Sequence, residues 1–327
     1  MPFPELERAL PPEKAGAALR LLLAGRPLAR EAFASHGRAL SNEEARRVAG
    51  FEQDGLSSRV AERVASSDGS IRLVVRLGDG ELVETVAMPS RAVCVSTQVG
   101  CAVGCRFCAS GVRGLKRNVT ALEIVEQVIH ARREMRIDRV LYMGMGEPSH
   151  NLDHVLTAVA WLREHAAISP HKQTFSTVGS VAAFERMAEA RAKPCLALSL
   201  HSADETTRRE LVPHASADSL HELVAAAGRY AELQTKPLMF EWTLLAGIND
   251  RDEDADALVD LIRGIRGCVN FIRWNPVEGQ PFAPTSFERA VLLRERVKDG
   301  GILATIRAST GSDVEAACGQ LRRRAVV

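Results

Sequence analysis

Three regimes of hydrophobic patterning follow one another along the chain. From residue 1 to about 64 the apolar positions recur at helical spacing. Ala15 to Leu23 is rich in Ala and Leu, and Ser41-Asn-Glu-Glu44 is a capping-box signal at the head of a further helix. A small helical accessory domain is therefore expected over 1–64. Next, the turn signals Asp68-Gly69 and Asp79-Gly80 flank Ile71-Arg-Leu-Val-Val-Arg-Leu77 and precede Glu81-Leu-Val-Glu-Thr-Val86, which predicts a β-hairpin connector over 65–90. From about Ala92 onward, short apolar runs alternate with amphipathic helical stretches. The runs read as strands over 92–96, 140–145, 174–178, 196–200, 238–245 and 269–274. Between them, Thr120-Ala-Leu-Glu123 opens a helix in which Val125, Val128, Ile129 and Arg132 keep the 3.6-residue period. Asn151 opens another, with Val155, Val159 and Leu162 on one face. Six β/α units in series predict an α/β fold, a parallel sheet curled into a partial (β/α)6 barrel over 91–309. A full eight-stranded barrel takes ~250 residues, and this segment is shorter. A further strand over 302–307 leads into a C-terminal segment over 310–327.

Composition narrows the class without naming a partner. With 46% hydrophobic and 25% charged residues, the 327-residue chain reads as an ordinary globular protein. The N-terminal Met-Pro-Phe-Pro-Glu-Leu-Glu-Arg lacks the basic region and apolar core of a secretion signal, and no apolar run approaches the ~20 residues of a membrane span. A net charge of +1 gives no global nucleic-acid signature, so any RNA binding must rest on local patches. Seven cysteines, an odd number with three in a metal-type cluster, argue for a reducing compartment. The expectation is a cytoplasmic monomer with no membrane partner.

The cysteines change the picture most. Cys94-Val-Ser-Thr-Gln-Val-Gly-Cys101-Ala-Val-Gly-Cys105-Arg-Phe-Cys108 holds a C-x3-C-x2-C triad with a fourth cysteine seven residues upstream. Iron–sulfur clusters are usually held by four thiolates. A triad from one loop holds three corners of a cubane and leaves one iron for another ligand. A structural zinc loop needs a fourth Cys or His in range, and no second C-x2-C pair exists. With an aromatic before its last cysteine, the triad resembles that of the radical S-adenosylmethionine (SAM) superfamily. There the open iron chelates the amino and carboxylate groups of SAM, and the fold is a six-stranded partial barrel.

Active sites of β/α barrels form where strands end and loops begin. At those positions stand Met143-Gly-Met-Gly146-Glu147-Pro148, Ser176-Thr-Val-Gly179, Ser199-Leu-His201 and Asn275-Pro276. Each alone reads as turn or capping chemistry; four at successive strand ends point to a ligand. Cys195 and Cys268 read as packing residues. Cys94 lies in the strand that enters the cluster loop. Cys318 lies in Ala-Ala-Cys-Gly-Gln-Leu near the C-terminus, where by itself it also reads as a packing residue.

Five motifs in collinear order resemble the RlmN/Cfr family of radical SAM RNA adenine methyltransferases: Arg91-Ala-Val-Cys94 with the cysteine triad, Met143 to Pro148, Ser199 to His201, Trp274-Asn-Pro276, and Ala316 to Leu321. They span nearly four fifths of the chain, from about Ser66 to Leu321. The resemblance implies that Cys101, Cys105 and Cys108 hold a [4Fe-4S] cluster. It implies that Gly146, Glu147, Ser176, Ser199, Leu200, His201 and Asn275 contact SAM. Cys318 would take a methyl group from one SAM. A 5′-deoxyadenosyl radical from a second SAM would abstract hydrogen from that methyl, and its carbon would add to adenine. Cys94 would act in proton removal and resolution of the protein–RNA crosslink, and Glu84 would be a base. On its own, Glu84 reads equally as an exposed strand carboxylate. The implied partners are 23S rRNA, with tRNA as an additional substrate, and an electron donor such as flavodoxin or ferredoxin.

This route suits the chemistry, because an adenine ring carbon is a poor nucleophile toward a sulfonium methyl and a thiolate is a good one. Phosphate contacts are expected from Arg106, Arg113, Lys116 and Arg117 after the cluster loop, from Arg132, Arg133 and Arg136 on the next helix, and from Arg322 to Arg324. C2 is expected as the target carbon. C8 stays open, because Gly114-Leu-Lys-Arg-Asn118 resembles the Cfr branch. Ser309-Thr310 before Gly311, and His214-Ala-Ser216 after Leu211-Val-Pro213, depart from the family pattern. A related enzyme with another RNA substrate, an RNA-binding module with a structural cluster, and a Cys94–Cys318 thiol redox protein remain as alternatives.

Overall fold

Four short helices begin the chain in the computed structural model, which describes residues 2–34 and 37–322. They are α1 (Pro4–Ala9), α2 (Pro12–Leu23), α3 (Arg30–Ala34) and α4 (Asn42–Asp54). The capping box at α4 forms as expected, the Ser41 hydroxyl accepting the Glu44 N–H and the Glu44 carboxylate accepting the Ser41 N–H. The helical expectation runs too far, however, because Arg59–Ala65 is a strand, β1. Its Arg-Val-Ala-Glu-Arg-Val-Ala sequence is mostly exposed, and sheet pairing rather than burial of an apolar face makes it extended.

β2 (Ile71–Arg76) and β3 (Leu82–Met88) form the expected hairpin. β4 (Ala92–Cys94) then enters the cluster loop, where β5 (Gln98–Val99) pairs with β6 (Arg117–Asn118). The barrel continues through α5 (Ala121–Glu134), β7 (Arg139–Tyr142), α6 (Leu152–His165), β8 (Gln173–Thr177), α7 (Val181–Glu189) and β9 (Cys195–Ser199). It closes with α8 (Glu205–Leu211), α9 (Leu220–Glu232), β10 (Leu238–Leu244), α10 (Asp252–Leu261), β11 (Gly267–Arg273), α11 (Phe287–Asp299) and β12 (Leu303–Arg307). One ten-stranded sheet runs β1-β2-β3-β4-β7-β8-β9-β10-β11-β12. Its first three pairings are antiparallel, and every later one is parallel. The hairpin is thus the antiparallel extension of the barrel sheet.

Strand β4 stops two residues short of expectation for a physical reason. Beyond Cys94 the backbone of Ser96 pairs with a side chain, its N–H donating to Gln127 Oε1 at 2.8 Å while Gln127 Nε2 donates back to the Ser96 carbonyl at 3.0 Å. A fully buried amide on α5 thereby imitates a strand and frees the chain to turn into the cluster loop. The N-terminal helices share one hydrophobic core with the barrel. Arg132 pins the two together, donating to the carbonyls of Leu23 at 2.5 Å, Ile137 at 3.1 Å and Ala166 at 3.1 Å. Gly25 faces it, left-handed at φ +71°, where a Cβ would lie 2.7 Å from the Arg132 backbone. Among the described residues, no helix is long and apolar enough to cross a membrane.

Candidate active site

The loop after β4 is folded by its glycines. Gly104, between two of the cysteines, is left-handed at φ +65°, and a Cβ on Gly111 would stand 2.7 Å from the Gly104 Cα. This tight return brings Cys101, Cys105 and Cys108 to the wall of one cavity of about 890 Å³ at the strand C-termini. All three thiols are free, and they rest on a small apolar cluster that includes Val103, Phe107 and Trp274. Burial pushes the Cys101 thiol up to about 12 and raises Cys105 and Cys108 as well, with mutual proximity adding to the effect at Cys105.

The strand ends supply polar groups opposite that loop. Glu147, 4% exposed, accepts the Ser149 N–H at 2.9 Å, the Val178 N–H at 3.0 Å and the Thr177 hydroxyl. Gly146 is left-handed at φ +103°, and a Cβ there would strike Gln98 at 2.5 Å. The Ser176 and Ser199 hydroxyls lie 3.4 Å apart. His201 is left-handed at φ +61°, uncommon for a side chain of this size. It is held there by the Asn249 amide on its carbonyl at 2.7 Å, the Thr243 N–H on its Nδ1 at 3.1 Å, and an edge contact with Phe107 at 4.8 Å. Burial and nearby Arg208 depress its pKa to about 3, so the ring is neutral. With Nδ1 accepting, the proton sits on Nε2, a donor available to the cavity that His201 lines.

Five of the seven residues expected at SAM thus line the cavity: Gly146, Glu147, Ser176, Ser199 and His201. Leu200 is fully buried, and its backbone N–H donates to the Glu241 carbonyl. Asn275 faces a second, adjoining cavity of about 470 Å³. Cys318 lines both cavities, and Cys94 lines the second.

The C-terminal segment that carries Cys318 crosses the strand ends as a strap. Asn275 Nδ2 donates to the Cys318 carbonyl at 3.0 Å, the Ala109 N–H to the Gly319 carbonyl at 2.7 Å, and the Ser110 hydroxyl to the Leu321 carbonyl at 2.6 Å. At its head, the Gly311 N–H donates to Asp68 and the Ser66 hydroxyl to Asp313. At its tail, the Arg322 N–H donates to Glu84 Oε2 at 2.6 Å. Glu84 is 1% exposed and ion-paired with Arg72 at 2.7 Å, so the exposed-carboxylate reading is corrected. It lines neither cavity that Cys318 reaches.

Sequence reasoning missed a row of polar residues inside the barrel. Glu241, 3% exposed, accepts the Asn270 amide at 2.9 Å, and the Thr305 hydroxyl donates to Asn270 Oδ1 at 3.1 Å. The three stand opposite one another in register on β10, β11 and β12, with Glu241 also opposite Ser199. At the end of β12, Arg307 lines both cavities, and its cation faces Cys318, Glu241 and Cys94. A charged residue inside an otherwise apolar strand was the available signal. Cys195 is buried as expected, whereas Cys268 is only half-buried.

A model of the Radical SAM superfamily matches residues 95–261, from the cluster loop through α10. The chain belongs to the radical SAM superfamily. It is similar to proteins named "Probable RNA methyltransferase" from Chromobacterium violaceum, at 45% identity over 82% of this chain and 76% of the relative, and from Pseudomonas aeruginosa, at 46% identity over 84% and 79%. Among solved structures, a radical SAM methyltransferase from Sphaerobacter thermophilus matches with a TM-score of 0.88 and 35% identity, covering 97% of this chain and 95% of that one.

Radical SAM proteins use a [4Fe-4S] cluster and SAM, and the donor set here fits both. Burial keeps the three thiols from ionising on their own, so they act as thiolate ligands only with a cationic partner, which cluster irons supply. Among the described residues, no three His, Cys, Asp or Glu groups converge as a cage for one ion. A single zinc would draw its thiolates together at Zn–S distances of ~2.3 Å, whereas a cubane spreads them over separate corners. The Glu147 carboxylate, the paired serine hydroxyls and the His201 Nε2–H present the mixed polarity that an amino acid and a ribose require.

Proposed function

We propose that this protein is an RNA methyltransferase that places a methyl group on C2 of an adenosine in 23S rRNA, with tRNA as an additional substrate. The observation that carries the reading is the shared position of Cys318: it lines the same cavity as the cysteine triad and, with Cys94, a second cavity alongside. One methyl-accepting thiol thereby stands at the junction of a SAM-type site and the side on which Cys94 lies. Similarity to proteins named RNA methyltransferases supplies the substrate class.

In this reading Cys101, Cys105 and Cys108 hold the cluster. Glu147, Ser176, Ser199 and His201 orient SAM. Gly146 lets it approach the backbone, Leu200 holds the end of β9 against β10 through its N–H on the Glu241 carbonyl, and Asn275 positions the Cys318 peptide. When bound and reduced, the cluster supplies the electron that cleaves SAM to a 5′-deoxyadenosyl radical. The Cys318 thiolate attacks the sulfonium methyl of SAM; the new sulfur–carbon bond forms as the old one breaks, and S-adenosylhomocysteine leaves. The Arg307 cation faces the Cys318 sulfur. Cys94 resolves the later crosslink to the adenine. The seven free cysteines suit a reducing cytoplasm.

The test is mass spectrometry of the Cys318 peptide after expression with adequate iron–sulfur supply, followed by nucleoside analysis of treated 23S rRNA. A methyl or methylene-derived adduct on Cys318 and 2-methyladenosine in the RNA are the expected results. An unmodified Cys318 after incubation with SAM refutes the mechanism. Formation of 8-methyladenosine moves the target carbon to C8.

A further inference from the structure

A second site stands on the antiparallel edge of the sheet. Arg59 on β1 and Arg76 on β2 are directly opposed in register. Like charges so placed repel and weaken strand pairing. With Arg133 of α5, both line a cavity of about 1070 Å³ that opens to solvent. Arg76 donates only a long hydrogen bond, to the Gly80 carbonyl at 3.5 Å, and among the described residues none of the three guanidinium groups has a carboxylate partner. Glu134, the acidic residue on the wall, is already paired with Arg63 at 2.7 Å. His130, also on the wall, adds no charge, since burial and Arg133 depress its pKa to about 4.

The strand order turns the Arg59 and Arg76 side of this cavity toward the reactive end of the barrel, while Arg133 stands on the last turn of α5, which runs back toward the start of β7. Val86 opposes Cys94, Leu82 opposes Arg76, and Arg76 opposes Arg59, so all three strand termini lie at the end where β4 enters the cluster loop. The β2–β3 turn, whose Gly80 lines the cavity, is also tied to the segment after the cluster by Arg117–Asp79 at 2.7 Å and Lys116–Glu81. The turn thus links this cavity to the segment that follows the cysteine triad. By contrast, Lys116 and Arg117, expected at phosphate, are occupied by these pairs and by Glu123, and Arg132 is occupied by three carbonyls. Arg322 is paired with Glu278 and Glu315. Arg323 and Arg324 lie outside the described residues.

We propose that the Arg59–Arg76–Arg133 cavity binds backbone phosphate of the RNA substrate, anchoring the strand away from the modified nucleotide. The inference rests on the RNA methyltransferase reading. It commits the cavity to charge and not to bases, because its wall carries three guanidinium groups and no Phe, Tyr or Trp, and its one aromatic ring, His130, is only 4% exposed.

The experiment measures binding of the cluster-loaded protein to a 23S rRNA transcript and to a short polyadenylate oligonucleotide at salt from about 50 to 200 mM. Wild type is compared with the Arg59→Gln/Arg76→Gln/Arg133→Gln variant and with Arg229→Gln, an exposed arginine on α9. The triple variant is expected to bind both RNAs about tenfold more weakly at the lowest salt, with a salt slope shallower by about one. Its RNA-free SAM cleavage stays at the wild-type rate and its Tm stays equal or rises, because a repulsive pair is relieved. Equal affinity and slope for wild type and triple variant overturn the site while leaving the RNA reading intact. Loss equal to that in Arg229→Gln also overturns it. A wild type that binds neither RNA removes the RNA reading and this site together.

Discussion

Two roles for Glu84 make opposite predictions. As a base it acts on the crosslink, after Cys318 is methylated; as an anchor it holds the strap from the start. Glu84→Gln keeps the shape of the side chain but removes its charge. One amide face must then meet a donor, either Arg72 or the Arg322 N–H, which bond the two carboxylate oxygens. Breaking a buried ion pair from one side costs about 3–5 kcal/mol. Glu62, 3.4 Å from Arg72 and partly exposed, absorbs some of the loss, which argues for the lower end. At ~2.1 cal/mol/K of unfolding entropy per residue over 327 residues, about 3 kcal/mol is a fall in Tm of about 4 °C. Scanning calorimetry reads that value, and hydrogen exchange followed by mass spectrometry should show faster exchange across 310–322. The anchor role slows Cys318 methylation itself, whereas a base leaves it intact and lets crosslink accumulate. A double Arg72→Met/Glu84→Leu variant, expected to recover the Tm, should keep the fast exchange. A Tm within about 1 °C of wild type together with unchanged exchange in Glu84→Gln would defeat the anchor argument.

Other outcomes follow from the same geometry. Burial opposes ionisation of Asp68, but hydrogen bonds from Ser70, Gly311 and Ser66 outweigh it and hold its pKa at about 2. Because this pKa lies below its unfolded value of about 4, the contribution is complete above that value and is lost as pH falls through about 2. Acid should therefore release the head of the strap between those limits, and Asp68→Asn should release it at neutral pH, both read by exchange at 310–316. Cys105→Ala should abolish the cluster absorbance and bound iron while leaving far-UV circular dichroism unchanged. His201→Asn keeps a residue tolerant of the left-handed backbone but loses the Nε2–H donor, and should weaken SAM binding about tenfold in equilibrium dialysis. An unchanged affinity would show that this N–H does not reach SAM.

The barrel was legible because its strands are buried on both faces and read as continuous apolar runs, as in Leu196 to Leu198. The cysteine triad was legible because its ligands are local in sequence. What escaped depends on long-range pairing. Glu84 meets an N–H 238 residues away, and the separation gives no sequence signal. Strand β1 alternates charge and small apolar residues and is defined by its neighbour β2. The basic residues were visible, but their availability was not. Arg117 and Arg133 look alike in sequence, yet one is held by two carboxylates and the other faces an open cavity.

Arg132 carries a consequence for how the chain can be divided. Its three bonds join the end of α2, the approach to β7 and the end of α6 around one half-buried guanidinium. The N-terminal helices are therefore a wall of the enzyme, not a cartridge. Calorimetry should give one cooperative melting event rather than two. Exchanging the helices for those of a relative would succeed only when the carbonyl ending α2 and the glycine beside it came across together. Evolution can rewrite their outer surface freely, but the seam has to be inherited as a unit.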